Sequence, residues 1–90
     1  MDSAFASPAI TVITQLLNDA RSRFGAGAVR TVEVNGQLFE EGLEAVTAAG
    51  GLVGFDHFQV DGATVRQLPD SAGESPRAFV DGHQEPFDLA

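Results

Sequence analysis

Val32-Glu33-Val34-Asn35-Gly36 alternates apolar and polar side chains and closes on Asn-Gly. The arrangement returns at Phe58-Gln59-Val60-Asp61-Gly62 and at Ala78-Phe79-Val80-Asp81-Gly82. Asn-Gly and Asp-Gly reach the two positive-φ positions of a type I′ turn at low steric cost, so each stretch predicts a β-hairpin. In the first, a two-residue loop sets Val34 opposite Gln37 and Val32 opposite Phe39. In the second, Phe58 faces Val65 and Val60 faces Ala63, with His57 and Arg66 paired on the reverse face. The third joins residues 77–80 to 83–84, and Pro86 marks it as an edge. The segments between the three turns do not match, so shared turn chemistry explains them better than duplication.

Upstream of the first turn lies a helix. Ser7-Pro8 supplies an N-cap followed by proline at the first helical position. Ile10, Ile13, Leu16, Leu17, Ala20 and Phe24 then recur at spacings of three and four, forming one apolar stripe. Gly25 stops the helix, and Arg21 and Arg23 suit the negative end of its dipole. A weaker helix is expected over residues 42–49, with Leu43, Val46 and Ala49 on one side and Gly50-Gly51 as its stop. Residues 52–60 read as one longer strand, and 69–76 as a polar loop bounded by prolines.

The expected fold is α+β. An N-terminal amphipathic helix packs on an antiparallel sheet built from three hairpins, with a short second helix. Residues 1–6 form a mobile start, 7–90 one domain, and residues 87–90 a loosely docked tail. The middle order of hairpin, helix and strands is similar to a β-grasp domain such as the ubiquitin-like sulfur carriers, over about half the chain. Those carriers are activated at a C-terminal Gly-Gly. Here Gly50-Gly51 is internal and the last residues are Asp88-Leu89-Ala90, so the resemblance assigns no family.

Composition limits the chemistry. A chain of 90 residues buries about 60–65% of its unfolded surface, leaving little room for a deep active site beside a core. Cysteine is absent, which removes disulfides and thiolate metal sites. No run of eighteen apolar residues or secretory leader is present, so a cytoplasmic location is expected, in the protein's own cell or an infected one. The net charge is −8, with arginine as the sole strong cation. Residues 32–90 hold eleven acids against Arg66 and Arg77. Such a surface repels nucleic acid and anionic membranes and attracts basic proteins. The same acidity also serves solubility.

Candidate sites are few. His57 lies beside Asp56, and His83 two residues after Asp81, but their spacing matches no metal motif. The sequence shows no nucleophile elbow around Ser71 or Ser75 and no phosphate-cradling loop before a helix. No catalytic residue, metal or cofactor is assigned. Glu40, Glu41 and Glu44 cluster on one helical face; with Glu33, Asp56 and Asp61 on neighbouring turns they outline an anionic patch. Asp81, His83 and Phe87 mark the third hairpin as a second contact region. Phe24, Phe39, Phe55, Phe58 and Phe79 are core candidates, whereas Phe5 and Phe87 near the ends would anchor a partner or a second copy.

The leading expectation is a small acidic non-enzymatic module that covers a basic protein surface as inhibitor or adaptor, similar in size and charge to phage-type antagonists and immunity proteins. One alternative is a homo-oligomeric structural or virion-associated subunit, a homodimer in its simplest form. The other is a small enzyme dependent on a metal or on His57 or His83.

Overall fold

The computed structural model describes residues 7–51 and 53–89. The stretch 1–6 with Phe5, together with Leu52 and Ala90, lies outside the described residues. Helix α1 spans Pro8–Phe24 with the caps its sequence announces: Ser7 Oγ accepts from the Ala9 N–H, and the Gly25 N–H donates to the Arg21 carbonyl. Ala9, Ile10, Ile13, Leu17 and Ala20 are its buried positions.

The first Asn-Gly is not a hairpin. Strand β1, Val29–Val34, runs directly into α2, Gly36–Ala48. Asn35 is the N-cap, with extended backbone, and its Oδ1 accepts the Leu38 N–H at 2.8 Å. Asn serves turns and caps alike, because its short side chain bonds to backbone N–H groups two or three residues on. What decides between them is the period that follows. Phe39, Gly42 and Val46 recur as a helical face, and all three are buried. Val34 before the cap and Phe39 four positions into the helix share one core, the arrangement of a hydrophobic staple. The second helix is therefore longer than expected, and the β-grasp resemblance lapses, because one strand and not a hairpin precedes it.

Strands β2 (His57–Val60) and β3 (Ala63–Gln67) do form a hairpin. Asp61 and Gly62 both have positive φ, 51° and 81°, as a type I′ turn requires. The register pairs Phe58 with Val65 and Val60 with Ala63. Strand β4, Arg77–Val80, also turns at its Asp-Gly, where the His83 N–H donates to the Val80 carbonyl and Gly82 has φ 85°. Its return strand is not 83–84 but β5, Phe87–Asp88, which pairs Ala78 with Phe87. Pro86 precedes this strand, where its missing N–H costs no ladder bond. Residues 87–89, expected to be loosely docked, pack on the domain: Leu89 is 5% exposed, and the Phe87 ring lies 4.6 Å from that of Phe24.

The sheet order is β2-β3-β1-β4-β5, and the sheet is mixed rather than antiparallel: β1 pairs in parallel with β3 and antiparallel with β4. A parallel neighbour needs a crossover, which α2 provides. Both helices lie against one face, over Val32, Val34, Phe58, Val60, Val65, Ala78 and Val80. Among the described residues, the reverse face carries no helix. It holds Thr31, Glu33, Gln59, Thr64, Arg66, Arg77 and Phe79, alternating with the buried set along each strand.

Gly42 has a packing role that a propensity argument misses. A Cβ there would sit 2.7 Å from Phe58 Cζ and 2.9 Å from Ile13 Cδ1, both buried. The absent side chain lets α2 approach α1 and the sheet. Gly42→Ala would relieve glycine's helix penalty of about 1 kcal/mol, yet overpacking costs about 1–3. A net loss of about 1 kcal/mol is expected, read as a melting midpoint lower by about 4–8 °C.

Candidate functional site

Among the described residues, Glu33 is the one buried carboxylate. It is 6% exposed, at the middle of the helix-free face of the sheet. Arg66 of β3 donates to its Oε2 at 3.0 Å and Arg77 of β4 to its Oε1 at 2.7 Å. Strand register explains the meeting, because Glu33 lies opposite Arg66 on one side and Arg77 on the other. The row extends outward to His57 on β2 and Asp88 on β5, so it crosses all five strands. Phe79 lies under both guanidinium groups, at 5.4 Å and 5.6 Å. Glu33 thus faces away from the helices and does not join Glu40, Glu41 and Glu44.

The other expected site residues separate into distinct places. Glu40, Glu41 and Glu44 are exposed together on α2, with Gln37 donating to Glu41 at 3.2 Å. Asp56 and Asp61 flank opposite ends of β2, so they share no patch. Asp61 accepts from Arg21 of α1 at 2.8 Å, and its carbonyl accepts a second bond from the same guanidinium. Asp81 accepts from Arg30 at 2.8 Å. His83 meets the Phe87 ring edge-on at 5.0 Å, beside the edge strand β5. The two histidines are thereby placed at opposite edges of the sheet. Among the described residues, no three His, Asp or Glu side chains converge as a metal set would.

The ion pairs reveal where the negative charge resides. Every one of the five arginines has a carboxylate partner: Arg21 with Asp61, Arg23 with Asp19, Arg30 with Asp81, and Arg66 and Arg77 with Glu33. Glu40, Glu41, Glu44, Asp70, Glu74 and Glu85 have no cationic partner among the described residues. The excess is therefore concentrated on α2 and on the loops that join β3 to β4 and β4 to β5.

The loop between β3 and β4 borders two open concavities. A concavity of about 450 Å³ is lined by Glu33, Phe39, Phe55, Asp56, Arg66, Gln67 and Pro69. A second, of about 370 Å³, shares Gln67 and Pro69 with it and extends to Asp70, Glu74 and the start of α2. Phe55, expected in the core, is fully exposed here. The expected long strand 52–60 begins only at His57. Ahead of it the chain makes a tight turn, with the Gly54 N–H donating to the His57 carbonyl at 2.8 Å and Val53 bridging to Phe58. A Cβ on Gly54 would overlap the His57 ring as it stands, so a larger residue there would have to displace that ring. Phe55 and Asp56 form its tip. The glycine in an otherwise alternating run was the available signal, since glycine inside a strand pattern marks close approach or a break.

Asp56 is held below the ordinary carboxylate range, chiefly by its hydrogen bond to His57, at 3.1 Å between Oδ1 and Nδ1. Linkage fixes the sign: the associated stabilisation is present above the unfolded value and disappears as pH falls through the folded one.

Among the described residues no helix is long and apolar enough to cross a membrane. No family model, curated protein or solved structure matches the chain.

Proposed function

We propose that this protein is an acidic binding module that covers a basic surface on a partner protein, as inhibitor or adaptor, in the cytoplasm of its own or an infected cell. The observation that carries the reading is the distribution of ion pairs. All five arginines are engaged internally, while Glu40, Glu41 and Glu44 stand exposed on one helix with no cation of their own. A carboxylate row on a rigid helix attracts cationic surfaces over a Debye length, about 10 Å at 0.1 M salt. Self-association through Phe87 has less support, because that ring already packs against Phe24 and His83.

The test is affinity capture at low salt with the wild-type chain and a Glu40→Lys, Glu41→Lys, Glu44→Lys variant. Basic proteins should be captured, and the reversal should slow their association by roughly 10–100-fold, with the difference shrinking as salt rises. Capture that ignores both salt and charge reversal would refute the reading.

A further inference from the structure

We propose that the Phe55 turn is the anchor of this interface and seats an arginine side chain of the partner's basic segment, its guanidinium over the Phe55 ring and against the Asp56 carboxylate. The inference rests on the binding reading above and specifies where that partner is gripped.

Three observations lead to it. Phe55 is a large aromatic with its whole surface in water, although a buried phenylalanine gains about 1.5–3 kcal/mol. The ring is displayed by a closed turn, so little order remains to be imposed on binding. It also borders the concavity with Phe39 and Pro69, and the loop across Pro69 adds Asp70 and Glu74. Glu33, also in the lining, is already taken up by Arg66 and Arg77, whereas the Asp56 carboxylate stands exposed beside the ring with only the half-exposed His57 imidazole against it, 3.1 Å from Oδ1 to Nδ1.

The protein contains a filled version of the same chemistry. On the open sheet face, Arg66 and Arg77 lie over Phe79 and bond to Glu33. An aromatic face and a carboxylate together satisfy a guanidinium, whose planar fork stacks on the ring while its N–H groups reach the acid. Phe55 and Asp56 are the same two groups, adjacent and exposed, and every arginine of the chain is engaged elsewhere. Charge complementarity therefore selects a cationic segment, and the ring selects arginine over lysine.

The experiment is an amide chemical-shift titration of the full chain with an arginine-rich peptide, a lysine-rich peptide of equal charge and an acidic control. Arginine peptide should shift residues 54–57 together with Phe39 and Gln67, and bind more tightly than lysine peptide. Phe55→Ala should weaken arginine binding by about 2–30-fold, at unchanged melting temperature because the side chain makes no core contact. Phe55→Trp should restore it. Equal affinity of wild type and Phe55→Ala, or shifts confined to α2, would overturn the anchor. If Glu40→Gln, Glu41→Gln and Glu44→Gln together abolish binding while Phe55→Ala does not, the acidic-surface reading stands and the anchor falls. If no cationic peptide binds, both fall.

Discussion

Phe58→Ala is expected to lose about 3–5 kcal/mol of folding free energy, a large part of the roughly 5–15 available to a domain of this class. The ring is fully buried beneath α2 and packs on Phe39 at 5.4 Å between centroids. Its far edge fills the space that Gly42 leaves open. Removing it strips the junction of α1, α2 and β2 of its largest side chain and opens a cavity that flanking strands cannot close. Urea denaturation would show this as a lower midpoint at nearly constant slope. A second variant separates the cavity from a general loss of hydrophobicity. Phe58→Leu and Gly42→Ala should each destabilise the protein, yet the pair should cost less than their sum, because the added methyl occupies the vacated volume. Additive losses would show that Gly42 and Phe58 do not share that space.

Glu33→Gln should lose about 1.5–3 kcal/mol. The substitution preserves shape but removes the charge that holds two guanidinium groups side by side. The full penalty of a deeply buried pair does not apply, because Arg66 and Arg77 keep side-chain exposures of 42% and 27%. The loss should persist in high salt, since Glu33 itself is shielded from screening ions, unlike the exposed Arg23–Asp19 pair. Replacing Glu33, Arg66 and Arg77 together by valine and threonine should recover much of the stability, because no unpaired charge then remains. Urea melts at two ionic strengths decide the matter; a Glu33→Gln protein as stable as wild type would mean that the row is ornamental.

How far the sequence could be read depended on how local each determinant is. Helix α1 was legible because its caps and its apolar stripe agree. The β2–β3 hairpin was legible because Asp61-Gly62 has alternating residues on both sides. Asn35-Gly36 misled because an alternating strand precedes it but a helical period follows. The parallel β1–β3 pairing leaves no local trace, since it is decided by a crossover and not by a turn. At the candidate site, the α2 carboxylates followed from helical spacing, whereas Phe55 was hidden inside a run that resembles a strand. In the sequence Glu33 is one more acid of the anionic patch; only the register shows the two arginines converging on it.

The placement of β1 also constrains the order in which the chain acquires its structure. This strand is central, yet its partners come late: the arginines that meet Glu33 lie 33 and 44 residues downstream. During synthesis, α1 and β1 leave the ribosome with no sheet to join. Local units such as α1 and the β2–β3 hairpin can form early, but β1 stays open on at least one edge until β4 emerges. Between the emergence of β1 and that of β4, the nascent protein therefore presents a valine-rich strand with an open edge, and it is in this interval that chaperones and misassembly compete for it.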